Sequence, residues 1–459
     1  MPVSQTTSVT VPETNVTRPL ARVGGMPKVK GAPVLGALPE LLRDQFTALR
    51  RWQREYGGVF ELDVGAANFV VAADANAAAE MLIERHRSFA RGGPLYDPLL
   101  GLFGRSLLTS EGDIWRTRRR AVQPRFRQQA VGAMSEQVER TLAEVFEPLR
   151  AGPCNIENLT GRIAMSVALR VMFGEGLDDQ RFDTLADAVD HAVRRVVYGW
   201  ATNRLPRWLP LPGRAKYRRA LATIDEVIGS MIEARRSTGE FGNDFLGMLL
   251  HMTDDGAIET ADIRNEAVTL IIAGYETTAT AMSWALYELA RNPELLARVQ
   301  AEADALGGGE PDLGKLGFTV QCFKEAMRMY PSGIWLPRHT AEDSELAGYP
   351  IKAGTAVLCS PYLVHHDPHA WDEPERFDPE RFAEGSNQPR NRFAFMPFGL
   401  GPHMCVGLHL AMLEGPLAIA RLLQRWSVAP IPGREPTAKI STTMSTKDGV
   451  WLELSPRSA

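Results

Sequence analysis

The sequence predicts a mainly helical protein with small β-sheets, an α+β fold, and three observations carry that prediction. Helical hydrophobic patterns dominate residues 113–310. One of them, from Thr260 to Arg291, runs unbroken to the stop signal Asn292-Pro293. Short β-like runs sit instead near the two chain ends, before residue 73 and again beyond Gly348, where Gly, Pro and β-branched residues become frequent. A helix-rich body with small sheets at both ends reads as one α+β unit.

In chain order, residues 1–35 read as a flexible N-terminal tail, ending in a Pro/Gly segment from Gly24 to Gly36. Residues 36–459 read as a single domain. The polar stretch Met1 to Thr17 lacks the basic start and apolar centre of a signal peptide. Pro39 to Tyr56 carries an amphipathic helix pattern. Val59 to Val64 and Asn68 to Ala72 are β-like, with Gly65 between them. Asp74 is the expected N-cap of a helix reaching Arg87, because its carboxylate can take the first free amides of that helix. The loop Gly92 to Gly112 follows, and the helical body is broken near Pro206 to Pro212. The tail, Ala438 to Leu454, reads as a hairpin turning at Asp448-Gly449.

The long helix would measure roughly 45–50 Å at 1.5 Å per residue. It is apolar nearly all round, which predicts a central, buried helix. Its middle nevertheless reads Ala273-Gly274-Tyr275-Glu276-Thr277-Thr278. A glycine, an acid and two hydroxyls are locally unfavourable there, as expected of a functional site. A bent helix whose threonines bond back to the preceding turn explains the same residues equally well.

The 459 residues are 44% hydrophobic and 23% charged, enough apolar material for a large core. A net charge of -4, with no basic tract longer than Arg118-Arg119-Arg120, speaks against nucleic acid as a partner. No stretch of about 20 apolar residues lacks charge, so no transmembrane anchor is expected. The four cysteines, Cys154, Cys322, Cys359 and Cys405, are scattered, with neither zinc-site spacing nor the density of a disulfide scaffold. A reducing, cytoplasmic setting is the simplest reading.

The sharpest signal is Phe398-Gly399-Leu400-Gly401-Pro402-His403-Met404-Cys405-Val406-Gly407. Gly399 and Gly401 allow backbone shapes closed to other residues and close approach to a flat ligand. Val406 to Leu422 reads as a helix, which puts Cys405 at its N-terminal end, where free amides and the helix dipole favour a thiolate. Such a thiolate suits a metal ligand tuned by neighbouring donors. A nucleophilic cysteine served by His403 or His409 is a weaker fit, since the acidic or amide orienter that a triad needs is lacking.

This loop resembles the haem loop of the cytochrome P-450 superfamily, F-x-x-G-x-[RH]-x-C-x-G. Four further motifs occur in family order, so the resemblance extends from about Pro33 to the C-terminus. It implies the family's triangular helical body with a smaller β-rich region, and haem b (iron protoporphyrin IX) with Cys405 as the metal ligand. Trp115-x-x-x-Arg119 share a helix face and would bind a haem propionate, as would Arg338 and, unusually for that position, His403. Phe398, Gly399, Gly407 and Ala273 would contact the cofactor. Glu276 and Thr277 would be the catalytic acid and alcohol that pass protons to bound O2. Glu325-x-x-Arg328 would join Arg381 of Pro379-Glu380-Arg381-Phe382 in a buried structural network. Arg116, Arg118 and Arg120 read as an exposed basic face.

The activity implied is insertion of one oxygen atom from O2 into a hydrophobic small molecule such as a terpene or fatty acid. Electrons would come from a separate ferredoxin or flavodoxin with its NAD(P)H-dependent reductase, and the basic face of Arg116, Arg118 and Arg120 could attract such an acidic partner. The pocket would be lined by Pro94 to Leu108, Val196 to Pro212, the central helix, Gly333 to Leu336 and Thr443-Met444. Two rival functions remain from the sequence: a haem-thiolate peroxygenase or isomerase, and a non-catalytic haem-binding protein.

Overall fold

The central helix forms where its pattern and stop signal place it, at Thr260–Arg291. A reciprocal cap starts it: the Glu259 side chain takes a first-turn amide, and the Asp262 carboxylate takes the Glu259 amide at 3.1 Å. Pro293 opens the next helix, Pro293–Ala305. In the computed structural model, residues 25–457 are described except 66, 175–176, 203–212, 240, 243, 255–257, 308–311 and 441–442. The central helix is buried continuously from Glu266 to Ile272 and again from Thr278 to Ala290. Between these stretches Ala273 to Thr277 are open, so the segment that broke the apolar pattern is a window in a buried rod. The helix Ile156–Phe173 lies along it, and the hydroxyls of Thr160 and Ser283 meet at 2.7 Å across that contact.

Among the described residues twelve short strands accompany the helices: β1 Val59–Asp63, β2 Asn68–Ala72, β3 Phe89–Ala90, β4 Gly152–Asn155, β5 Leu336–Thr340, β6 Ser344–Leu346, β7 Tyr349–Ile351, β8 Ala356–Cys359, β9 Trp426–Pro430, β10 Ala438–Ile440, β11 Met444–Thr446 and β12 Trp451–Pro456. The largest sheet has the order β1-β2-β8-β5-β3. Its β2–β8 pair is parallel and the others antiparallel. In the β3–β5 pair Ala90 stands opposite His339, so the next residue on each strand brings Arg91 beside Arg338.

Three local expectations are corrected. Residues 25–35 are not a loose tail: Val29 is 3% exposed, its amide reaches the Glu61 carbonyl at 2.9 Å, and the Glu61 amide reaches Pro27 at 2.7 Å. The stretch is held because it supplies partners to the otherwise open edge of β1. Asp74 does cap its helix, accepting from the Ala77 amide at 2.8 Å, but the helix covers Ala75–Ala79 and then widens into a π turn, Glu80–Glu84. The C-terminal hairpin turns elsewhere: β10 pairs with β11, whereas β12 pairs with β4 and β9. Asp448-Gly449 therefore links two sheets. Pairing with β4 and β9 buries the alternate residues Leu452 and Leu454 against the helical core, which a two-stranded hairpin alone could not do. The break at Pro206 to Pro212 lies outside the described residues.

The helix Gly317–Met329 anchors the loop side of the molecule. Arg328 donates to both oxygens of Glu325, at 2.6 and 2.8 Å, and Arg381 adds a third contact at 3.2 Å. All three side chains are buried. Carbonyl oxygens of His365 and Arg376 take further Arg328 protons, so this buried charge is hydrogen-bonded on several sides.

Candidate active site

The window in the central helix opens onto a cavity of about 440 Å³, within the size range of cofactor and ligand pockets. Phe398, Gly399 and Cys405 border the same cavity, as do Ser332, Gly333, Trp335 and Leu336, and Leu99, Leu102 and Phe103 from the helix Asp97–Phe103, which forms within the stretch expected to be a loop. Val196 and Thr443 also line it, while 203–212 of the expected lining lie outside the described residues.

The cysteine loop is built by its own backbone. The Gly399 amide bonds to Met396, the Met404 amide to Gly401 and the Cys405 amide to Phe398, at 3.0, 3.1 and 2.8 Å. Gly401 has φ +71°, and a Cβ there would lie 2.0 Å from the Leu82 carbonyl oxygen, so only glycine fits. The helix Leu408–Arg425 starts immediately afterwards. Cys405 lies deep in the molecule yet has an open surface, because it faces the cavity. Burial pushes its thiol up, but the Gly407 and Leu408 amides and the charges of Arg119 and Arg91 favour the thiolate. At Cys322 and Cys359 burial outweighs a nearby arginine charge, and it raises the Cys359 thiol to about 12.

A cationic group gathers at one side of the cavity. Arg119 shares the helix Gly112–Val122 with Trp115, and both face the cavity. Arg119 donates to the Met404 carbonyl at 2.8 Å, while Arg338 donates to Pro337 at 2.7 Å and approaches the Tyr96 hydroxyl at 3.4 Å. The ring of His403 lies 4.1 Å from that of Trp115, and its Nε2 is 3.1 Å from Glu111 Oε1. Burial holds this histidine below its ordinary range. Its Nδ1 is buried without a partner.

Sequence reasoning missed Arg91. Its guanidinium reaches the carbonyls of Leu107, Leu108 and His403 at 3.2–3.3 Å, and its Nε is buried without a partner. Burial, reinforced by Arg338 and Arg119, pulls it down to about 10, so it remains charged at neutral pH. The sequence around Arg91, between a helix pattern and a Gly-rich loop, carries no signal of the β3–β5 pairing that places it. Glu414 was also missed. It lines the cavity, burial pushes its carboxyl well up, and Oε1 has no partner. An acid within the apolar run of its helix was the available signal.

A third finding reverses an expectation. Arg118 is not part of an exposed basic face: it is 5% exposed and paired with Glu266 and Asp262. Arg116 and Arg120 are exposed, Arg116 beside Asp113.

On the central helix the two expected residues make different bonds. Thr277 donates its hydroxyl to the Ala273 carbonyl at 2.7 Å, the back-bond to the preceding turn. That leaves its oxygen lone pairs for the cavity it lines. Glu276 Oε1 accepts from the Thr443 hydroxyl at 2.6 Å.

Taken together, the residues present fit haem. The cavity exposes one thiolate-capable sulfur, and the small residues Ala273 and Gly274 of the helix window leave room for a flat ring. Buried Arg91 and His403 each carry a polar atom with no partner beside Arg119 and Arg338, a cationic group suited to two propionates.

Comparison with known proteins agrees with this geometry. The family model described as cytochrome P450 matches residues 26–452. The cyclooctat-9-en-7-ol 5-monooxygenase of Streptomyces melanosporofaciens is 33% identical over 393 residues, covering 82% of this chain and 84% of the relative. The carotene epsilon-monooxygenase of Arabidopsis thaliana is 28% identical over 484 residues, covering 97% and 88%. Among solved structures, the crystal structure of the cytochrome P450DA heme domain superposes with a TM-score of 0.83 at 25% identity, covering 95% of this chain and 98% of that one.

Proposed function

The chain belongs to the cytochrome P450 family and is a haem b monooxygenase, and from that premise we propose that Cys405 is the thiolate ligand of the iron. The observation that carries this reading is that Cys405 lines the same cavity as Ala273, Gly274, Glu276 and Thr277 of the helix window. Arg91, Arg119, Arg338, His403 and Trp115 hold the propionates. Ala273, Phe398, Gly399 and Gly407 bound the ring. When bound, the haem supplies the activation of O2 and the oxidising power for attack on a C–H bond. Thr277, its own proton held by the Ala273 carbonyl, offers an acceptor oxygen that positions water in the cavity, and Glu276 supplies protons to that water.

The enzyme draws electrons from a redox partner and acts on a hydrophobic substrate; the finer proposals are a separate ferredoxin or flavodoxin with its NAD(P)H reductase, and a terpene-like substrate. The apolar wall of Leu99, Leu102, Phe103, Val193, Val196 and Ile272 supports the substrate class, as do the isoprenoid names of the relatives above. Among the described residues no helix is long and apolar enough to cross a membrane. We read the chain as a single domain that takes in the packed stretch from residue 25 as well as 36–459, and we place it in the cytoplasm because its few scattered cysteines suit a reducing setting.

The test is reconstitution with a ferredoxin or flavodoxin, its reductase and NAD(P)H, after a hydrophobic library has been screened for substrate-induced Soret shifts. Product that appears with the electron donors, and not with hydrogen peroxide alone, supports a monooxygenase. Turnover with peroxide alone would replace it by a peroxygenase.

A further inference from the structure

Both members of the proposed acid–alcohol pair are tied to one hairpin, β10–β11, through a closed ring of hydrogen bonds. The Thr443 hydroxyl donates to Glu276 Oε1 at 2.6 Å. The next residue, Met444, donates its amide to the Ser332 carbonyl at 3.1 Å. Ser332 in turn donates its hydroxyl to the Thr277 carbonyl at 2.8 Å. Since Thr277 follows Glu276 in the chain, the ring closes. A second bond pins the same strand, from the Thr446 hydroxyl to the Glu157 carboxylate on the neighbouring helix.

From this geometry we infer that Thr443 and Ser332 are positioning residues, which fix the Glu276 side chain and the Thr277 backbone relative to the cavity. The inference rests on the reading of Glu276 and Thr277 as the proton-handling pair. The physical argument is one of freedom and direction. A glutamate on a helix window has several rotamers, and only some aim its carboxyl at water in the cavity. A hydroxyl donating to one oxygen selects among them. A hydroxyl proton given to the Thr277 carbonyl competes with the helix's own amide for that acceptor, and so holds the window at the strand side. Thr443 and Ser332 both line the cavity, so the clamp sits where a bound substrate would touch it.

The experiment uses haem-loaded protein and the single variants Thr443→Val, Thr443→Ser and Ser332→Ala, with Glu276→Ala and Thr277→Ala as references. The first readout needs no turnover: thermal midpoints in a double-mutant cycle of Thr443→Val with Glu276→Ala. The bond predicts non-additive shifts, with the double variant falling little below the worse single one. The second is product per NAD(P)H. Thr443→Val should lower it by up to about tenfold, less than the about 10²–10⁴-fold of a complete proton relay, with the missing electrons recovered as peroxide. Thr443→Ser, which keeps the donor, should restore it, and Ser332→Ala should lower it in the same sense. Additive midpoints would overturn the clamp, as would a Thr443→Val enzyme as well coupled as wild type beside an uncoupled Thr277→Ala. If Thr277→Ala and Glu276→Ala are themselves fully coupled, the relay reading fails first and the clamp's function with it, even where the cycle still detects the bond.

Discussion

Arg118 donates from Nη1 to Glu266 Oε1 at 2.5 Å and from Nη2 to Asp262 Oδ1 at 2.7 Å. Glu266 also accepts the Leu107 amide on its two oxygens, at 3.0 and 3.1 Å. One buried cluster thus joins the Trp115 helix, the central helix and the loop that lines the cavity. On its short helix, Arg118 points into this joint while Trp115 and Arg119 point into the cavity, so a single helix supplies both scaffold and site.

Replacing Arg118 by methionine should therefore act on stability. Removing one partner of a buried ion pair leaves an uncompensated charge, at a cost of about 3–5 kcal/mol. The loop around Leu107 should also become easier to cleave, because its anchoring carboxylate loses its cation. Arg120→Met, on the exposed side, should stay within about 0.5 kcal/mol of wild type. Denaturant unfolding and limited proteolysis check both, and equal stabilities for the two variants would contradict the burial of Arg118.

The cysteines make a spectroscopic series. Cys405→Ala should lose haem or the reduced carbon monoxide band that names the family. Cys154, Cys322 and Cys359, each raised by burial and none lining the cavity, should tolerate alanine with the band intact. A normal band in Cys405→Ala would move the ligand to another residue.

The series also shows what a sequence carries. The glycines about Cys405 and the helix after it were legible, because a sharp turn and a helix start are local events. The window was legible too: Gly274, Glu276 and Thr277 interrupt an apolar run, and the structure leaves 273–277 open there. What stayed hidden depends on distant pairing. Whether Arg118 meets water or Glu266 is decided by a helix far along the chain. Arg91 acquires its place only when β3 pairs with β5, and β12 leaves its expected hairpin because β4 and β9 offer a better burial for Leu452 and Leu454.

Arg91 invites the third prediction. In Arg91→Gln the site would lose one of three cations and the contact to the His403 carbonyl that steadies the cysteine loop. Haem retention should weaken, seen as faster transfer to apomyoglobin, while Arg116→Gln on the exposed face leaves that rate unchanged. Unaltered transfer from Arg91→Gln would remove it from the propionate site.

Thr277→Ala is the last and most mechanistic test. The side chain touches none of the cationic group, and its hydroxyl is bonded to Ala273 within its own helix, so haem content and substrate-induced spectral shifts should persist. The back-bond alone is worth about 0.5–1.5 kcal/mol, so the fold should survive its loss. What disappears is the acceptor oxygen facing the cavity. Water there loses the partner that orders it beside Glu276, and protons arrive too slowly to keep pace with the electrons. NAD(P)H should still be consumed, with less product and more hydrogen peroxide, and a relay of this kind is worth about 10²–10⁴-fold. If the threonine served only to bond its own helix, Thr277→Ala would lose a little stability and stay fully coupled. Product formed per NAD(P)H consumed separates the two outcomes, because a helix contact affects how much enzyme is folded and not how each folded molecule divides its electrons.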